Sequence, residues 1–379
     1  MIERRLGGRD VTVSAVGQGT MGIGGTFARD ERDDAACIRS LQAGFDLGMR
    51  FVDTAPGYGA GHAEELVGRA VTGQRASVVI GTKFPPTAST RGGLIASVEA
   101  SLRRLRTDYI DLLQVHWPCY DVPVDETLDT MRRLVEVGKV RFLGLGNCTA
   151  AETLRALETP AGAHIVSVQQ EYSLAERSVE TRLLGECRAR NLTLIAYSPL
   201  AVGRLTADLA AFPIAVVMAE RYGLSVAQLA LAWLLQDPQV VAIPKAGSLS
   251  HLRANAAAAR VRLDSADRER LGAAFSSPTQ CVPPEEIVIE REQGRPVYTT
   301  LEEARANALG INPGPAELAR QMTDGEMLKP IKVRPVSGAG KARFRLTEGR
   351  TRYWGWVIAH GDTPIPAVIE NGETSHHAA

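Results

Sequence analysis

The chain has 379 residues, beyond the roughly 250–300 at which single cores stop growing, so a large domain and a smaller one are the expected partition. Hydrophobic residues make up 45% and charged residues 23%, and 43 basic side chains balance 43 acidic ones, which leaves no whole-chain attraction to nucleic acid or to a membrane. The five cysteines (Cys37, Cys119, Cys148, Cys187, Cys281) are odd in number and lack CxxC spacing, MIERRLGGRD has no apolar signal core, and no run approaches ~18 apolar residues, so the expectation is a cytoplasmic, non-membrane protein with reduced thiols.

In chain order, short β-branched runs alternate with helical patterns as far as about Phe275. The runs are VSAVGQGT, RFVDTAP, SVVIGTK, DLLQVHW, RFLGLGN, IVSVQQEY, TLIAYSPL and VVAIPKA. Segments such as DDAACIRSLQAGFDLGM and GGLIASVEASLRRLR lie between them, with apolar residues at helical spacing and charges on the other face. Strands this apolar need both faces covered, and eight βα units predict a closed (β/α)8 TIM barrel rather than an open doubly wound sheet. The barrel is expected over residues 1–276.

SSPTQCVPPEE breaks this rhythm with three prolines, and 277–284 reads as a linker. A small α+β domain over 285–372 is expected next. Its pattern is a strand (IVIER), helices (TLEEARANALG and AELARQMTDGE), strands (IKVRPV and RFRLTEG), a helix (YWGWVIAHG) and a closing strand (PIPAVIE). The polar tail 373–379 holds two histidines that read as bystanders.

Chemistry in a barrel gathers at the C-terminal ends of the strands. Those ends supply Asp53 in FVDTAPGYG, Lys83 in VIGTKF and His116 in LLQVHWP, with Tyr58 five residues after Asp53. A lysine closing an apolar strand needs a counter-charge, and Asp53 on the neighbouring strand can provide it. A phenol has a pKa near ~10, and a nearby ammonium favours the phenolate, so Lys83 is expected to lower the Tyr58 pKa and make it a general acid. His116 can hydrogen-bond a substrate oxygen. One buried Lys–Asp pair is more often structural than catalytic, but four such groups at one mouth reverse that weighting. Trp117 and Tyr120 could wall a substrate pocket.

GFDLGMRFVDTAPGYG, VVIGTKF, SLRRLRTDYIDLLQVHWP and LIAYSPLAVGRLT together resemble the aldo-keto reductase family across Met1 to Phe275. The resemblance implies an oxidoreductase that uses NADPH/NADP to reduce a small-molecule aldehyde or ketone, with Tyr58 as proton donor, Lys83 and Asp53 tuning it, and His116 orienting the substrate. It also implies cofactor contacts at Gly19, Thr20 and Met21, at Asn147 and Gln169 for the carboxamide, and at Tyr197 stacking on the nicotinamide. Ser198 and Leu200 would line the pyrophosphate, Lys245 and His251 would stand at the 2′-phosphate, and Asn255 at the adenine. Three departures stand out. Gly146 replaces the serine that commonly precedes the asparagine, His251 stands where relatives often place an arginine, and the segment from Ala201 to Phe212 is short, which predicts a more exposed cofactor.

Between Lys329 and Arg352 the sequence has eight basic residues (Lys329, Lys332, Arg334, Lys341, Arg343, Arg345, Arg350, Arg352) against one acid, Glu348, and so predicts a local cationic patch. Gly349 between a strand and a helix could receive a phosphate, with Arg352 pairing to it. The order LKPIKVRP, EGRTRYWGW, HGDTPIPAVI resembles the ParB/sulfiredoxin-like superfamily from Glu286 to Asn371. This implies a nucleotide or phosphate site around Glu348, Gly349, Arg350 and Arg352, for ATP or CTP with Mg, and Glu286, Glu290 or Glu348 as base or magnesium ligand. Arg350 stands where sulfiredoxins carry their reactive cysteine, which speaks against that chemistry, and the lack of further helices after the fold speaks against centromere binding.

Three readings of the whole follow. The first is a reductase whose appended domain regulates it or performs a second step; the second a cofactor-bound sensor or scaffold whose C-terminal domain carries the output; the third a nucleic-acid binder through the basic patch.

Overall fold

The computed structural model describes residues 1–207, 209, 212–275, 279–290, 297–311, 313–336 and 342–370. They belong to two compact units, Met1–Phe275 and Ser276–Ala379.

The first unit opens with an antiparallel hairpin, β1 (Glu3–Arg5) and β2 (Thr12–Ser14). Eight parallel strands follow in sequential order: β3 (Gln18–Gly19), β4 (Phe51–Asp53), β5 (Val79–Phe84), β6 (Ile110–Val115), β7 (Val140–Gly146), β8 (Ile165–Glu171), β9 (Thr193–Tyr197) and β10 (Val240–Ala242). The sheet closes on itself, because the Gly17 amide donates to the Ala242 carbonyl (2.8 Å) and the Ala242 amide donates to the Ala15 carbonyl (3.0 Å). Each of the eight apolar runs overlaps one of these strands, and the (β/α)8 barrel is present as expected. Every residue of β6 is buried, which is what a strand enclosed by side chains within and helices without requires.

The hairpin plugs one end of the barrel. Leu6, in its turn, packs with Phe51, Leu112, Val166, Ile195 and Val241 inside the barrel. Gly7 follows at φ +55°, and a Cβ there would lie 2.5 Å from the Val166 carbonyl oxygen, so the approach admits only glycine. Its amide donates to Thr193 Oγ1 (2.9 Å) at the start of β9. The N-terminal end is thereby filled, and the C-terminal ends of the strands form the accessible mouth.

Outside the barrel, the helix Arg91–Leu105 is capped by Thr90, whose hydroxyl accepts from the Gly93 amide, and Ala150–Glu158 begins with a reciprocal capping box between Thr149 and Glu152. The helix His62–Ala70 passes so close to the end of Arg91–Leu105 that a Cβ on Gly68 would lie 2.6 Å from the Leu105 carbonyl oxygen and 2.7 Å from that of Arg104. Among the described residues no single helix is long and apolar enough to cross a membrane.

In the second unit, β11 (Thr279–Val282), β12 (Ile287–Val288), β13 (Ile331–Pro335), β14 (Phe344–Glu348) and β15 (Ile365–Ile369) form one mixed sheet in the order β11-β15-β13-β14-β12. Three short helices, Leu301–Arg305, Pro315–Gln321 and Arg350–His360, accompany it. The expected linker is partly corrected here: Thr279–Val282, inside 277–284, is an edge strand antiparallel to β15, with Val282 buried in the core. Proline flanks it rather than interrupting it, as an edge position allows.

The first helix is shorter than its pattern because Asn307 turns left-handed (φ 47°) and its side-chain amide both donates to and accepts from the Ile311 backbone (3.0 and 3.1 Å). YWGW is core: Tyr353, Trp354 and Trp356 are buried, and their polar ends donate to the carbonyls of Pro284 (3.2 Å), Tyr298 (3.0 Å) and Thr363 (2.9 Å).

Gly68→Ala is expected to destabilise the barrel unit by roughly 1–3 kcal/mol, because the new methyl meets backbone that cannot rotate away. Chemical denaturation of the two proteins should show the loss; coincident curves would mean that the helices part freely.

Candidate active site

Asp53 ends β4, Lys83 lies near the end of β5, and His116 follows β6. Tyr58 begins the short turn after β4. The four meet at the mouth. Lys83 Nζ donates to Asp53 Oδ1 at 2.5 Å, stands 5.2 Å from the centre of the Tyr58 ring, and the Tyr58 and His116 rings lie 5.9 Å apart edge to face (83°).

Sequence reasoning missed Gln114, and it expected Gln169 at the cofactor carboxamide rather than in this cluster. Gln114 Nε2 (3.0 Å) and Gln169 Nε2 (2.7 Å) both donate to Asp53 Oδ2, and Gln169 Nε2 also reaches Gln114 Oε1 (3.1 Å). The carbonyl of Thr54 accepts a second bond from Lys83 (3.0 Å). A signal for Gln114 existed: it is the lone amide in DLLQVHW, two residues before His116 and thus on the same face of the strand. Register explains the room it occupies. Gln114 pairs with Lys83 on one side and Gly144 on the other, and a Cβ on Gly144 would stand 2.9 Å from Gln114 Cγ.

Burial raises the Tyr58 phenol above its ordinary value, with Lys83 pulling it down and Asp53 pushing it up again. The expected net lowering by Lys83 is therefore corrected, because burial outweighs the pull of the ammonium and Asp53 adds to burial. Burial opposes the Lys83 charge, but Asp53 and Tyr58 outweigh it and hold the ammonium above its usual range. His116 is pushed down to about 3, first by burial and then by the Lys83 charge, so it faces the mouth as a neutral imidazole.

The other expected positions surround this centre. Thr20 is buried, and its amide and hydroxyl both donate to the Asp53 carbonyl (3.1 and 3.0 Å); Gly19 precedes it in β3, and Met21 is exposed. Asn147 Nδ2 donates to the His116 carbonyl (2.8 Å), and the Tyr197 hydroxyl donates to Asn147 Oδ1 (2.9 Å), so these two tie β6, β7 and β9 together. Gln169 joins the Asp53 cluster, as above. Asn147 (φ 55°) and Ser198 (φ 46°) hold left-handed backbone that non-glycine residues rarely adopt, at the strand ends where function concentrates. Tyr120 directs its hydroxyl to Glu152 Oε1 (2.7 Å), and Trp117 is half-buried.

Leu200, Lys245, His251 and Asn255 line one cavity of about 590 Å³ with Thr206, Leu209 and Glu220. The segment expected to leave this region open supplies Thr206 and Leu209 to its wall. Gly146 is at a tight crossing: a Cβ would lie 2.3 Å from the Val115 carbonyl oxygen, a close approach that suits glycine in place of serine.

The C-terminal candidates behave differently. Lys332 and Arg352 pair with Glu348 (2.7 and 3.2 Å), Arg345 with Glu290 (3.0 Å), Arg343 with Glu286 (3.5 Å) and Arg334 with Glu370 (3.7 Å). The expected cationic patch is thus corrected in part: five of its eight basic residues meet carboxylates, and three of these four carboxylates come from outside 329–352. Lys341 lies outside the described residues. Burial would raise the Glu348 carboxyl, yet Lys332 and Arg352 hold it below its usual range. Gly349 caps the helix at φ +94°, Arg350 begins it, and Arg352 donates to the carbonyls of Lys329 (3.0 Å) and Pro330 (2.8 Å). The groups expected at a phosphate hold the unit's own backbone and carboxylates.

Residues 15–274 match the aldo/keto reductase family. The chain is 37% identical over 270 residues to the methylglyoxal reductase YeaE of Escherichia coli (strain K12), covering 71% of this chain and 93% of that protein. It is 30% identical over 311 residues to the NADH-specific methylglyoxal reductase of Escherichia coli (strain K12), covering 69% and 94%. The crystal structure of an aldo/keto reductase from Klebsiella pneumoniae in complex with NADP and acetate superposes with a TM-score of 0.67 at 37% identity, covering 72% of this chain and 95% of that one. The chain belongs to the aldo-keto reductase family, and its catalytic unit is the barrel.

The residues fit the dinucleotide that the family implies: the cavity offers a cation at Lys245, a second nitrogen base at His251, the buried amide of Asn255 and apolar walls.

Two outcomes are expected. Gly146→Ser should lower the unfolding midpoint and loosen NADPH in a fluorescence titration; tighter binding at unchanged stability would show that the crossing yields. For His116, the folded pKa of about 3 lies below the ordinary 6.5, so only the unfolded chain takes up this proton between those values. Its stability contribution is complete above pH 6.5 and lost as pH falls toward 3. Between pH 7 and 4 wild type should lose more stability than His116→Asn, and parallel curves would refute the assignment.

Proposed function

We propose that the chain is an NADP-dependent oxidoreductase that reduces an aldehyde or ketone, with Tyr58 giving the proton. The observation that carries this is the Lys83 ammonium, buried against Asp53 at 2.5 Å and set beside the Tyr58 ring at the open end of the barrel. NADPH, when bound, supplies the hydride. Lys245, His251 and Asn255 would hold its adenosine end, and Gly19, Thr20, Met21, Asn147, Gln169, Tyr197, Ser198 and Leu200 its nicotinamide and pyrophosphate.

Tyr58 keeps its proton in the resting site, because burial disfavours a phenolate there. Lys83 lowers the cost of releasing it as the substrate oxygen gains negative charge, and Asp53, fixed by Gln114 and Gln169, keeps the ammonium in place. Neutral His116 can donate its ring N–H to the same oxygen without competing for the Tyr58 proton. A small α-oxoaldehyde of the methylglyoxal kind suits this reading, since relatives that match most of the barrel carry that name.

Tyr58→Phe should lower kcat for methylglyoxal reduction by ~10²–10⁴-fold while leaving the NADPH dissociation constant within about twofold, measured by steady-state assay and fluorescence titration. A variant that turns over at the wild-type rate would transfer support to a cofactor-bound scaffold. Asp53→Asn should reduce both kcat and stability, because it leaves the buried Lys83 charge without its counter-ion, at ~3–5 kcal/mol for a broken buried pair.

A further inference from the structure

Charge in the barrel unit is mostly answered by charge. Asp53 meets Lys83, Glu64 meets Arg104, Asp111 meets Arg75 and Arg141, and Asp237 meets Arg188. The cavity of about 590 Å³ differs, since it gathers Lys245, His251 and Glu220, and neither Lys245 nor Glu220 has an ion-pair partner among the described residues.

The two charges stand on differently polarised walls. Lys245 precedes the helix Leu249–Ala258, whose first turn holds His251 and presents the positive end of its dipole. Glu220 lies in the last turn of the helix Pro213–Tyr222, which ends at Gly223 in the left-handed conformation, so carboxylate and helix C-terminus add with the same sign. A ligand with a dianionic group is drawn to one wall and repelled by the other; one with hydroxyls in its place carries no charge for either wall to act on and can donate to Glu220 while accepting from Lys245.

We infer that Glu220 sets the dinucleotide selectivity of this chain: its carboxylate opposes the 2′-phosphate that Lys245 attracts and accepts a hydrogen bond from a free ribose hydroxyl, so that NADH is taken as well as NADPH. This rests on the adenosine end lying in this cavity, as proposed above. Through a largely aqueous gap one carboxylate acts on a dianion by a factor of about three to ten, enough to level a preference without abolishing phosphate binding.

The test is a titration of the full-length protein with NADPH and with NADH, followed by energy transfer from tryptophan, for wild type, Glu220→Gln and Lys245→Gln. Glu220→Gln should tighten NADPH about three- to tenfold and leave NADH unchanged or weaker, and raising the salt from low to about 0.5 M should erase the gain. Lys245→Gln should loosen NADPH at least about tenfold and NADH little. If Glu220→Gln shifts both dinucleotides equally, or neither, while Lys245→Gln still loosens NADPH, the phosphate lies here and Glu220 has no part in selectivity. If Lys245→Gln leaves NADPH untouched, the placement fails and the inference with it. Unchanged unfolding midpoints, expected for two exposed side chains, separate these outcomes from misfolding.

Discussion

The mouth of the barrel is organised around one buried ion pair. Lys83 and Asp53 are each 2% exposed, and charges so far from water are stable only when every remaining hydrogen-bonding position is filled. Here the filling is thorough: two amide side chains reach the second oxygen of Asp53, the Thr54 carbonyl takes a further Lys83 proton, and Thr20 holds the Asp53 backbone. A network of this kind fixes four strands relative to one another as a condition of existing. The phenol beside it inherits a defined place and field.

Space for that network comes from absent side chains. Gly144 pairs with Gln114 in register and a Cβ on Gly81 would lie 3.3 Å from Gln114 Nε2, so an amide can lie across the barrel where a Val or Leu would close it. The hairpin turn at Leu6 and Gly7 fills the opposite end with apolar packing. One end of the same cylinder is thus a dry core and the other a polar mouth. The left-handed backbone at Asn147 and Ser198 lies at that mouth, where bonds from Tyr197 and to the His116 carbonyl hold the loops in shape.

The Ser276–Ala379 unit follows a different economy of charge. Its strands alternate cations outward, and neighbouring strands answer them with Glu286, Glu290, Glu348 and Glu370. Its aromatic residues pack inward and give their polar hydrogens to backbone carbonyls. These observations describe how the unit holds together.

The eight apolar runs and the polar residues closing three of them were readable directly, because strand period and burial on both faces write themselves into local composition. Asp53, Lys83 and His116 stood out for the same reason, since a charged or polar group ending an apolar strand is conspicuous in one dimension, and Tyr58 stood out by following Asp53 within five residues. Gln114 was visible as a letter but not as a partner, since its role needs the register of three strands. The direction of the Tyr58 shift was likewise hidden, because burial and a nearby cation act in opposite senses and only coordinates say which prevails. The charge of 329–352 was misread for a related reason, its counter-ions lying up to dozens of residues away in the chain and one strand away in space. Sequence alone determined the periodic fold and marked the polar groups that gather at the mouth, because strand period and the residue types at strand ends are local properties of the chain. Tertiary structure decided their ionisation, their partners and the meeting of Glu220 and Lys245 in the lining of one cavity, because electrostatic energy depends on distance and solvent exposure, and neither is written in sequence order.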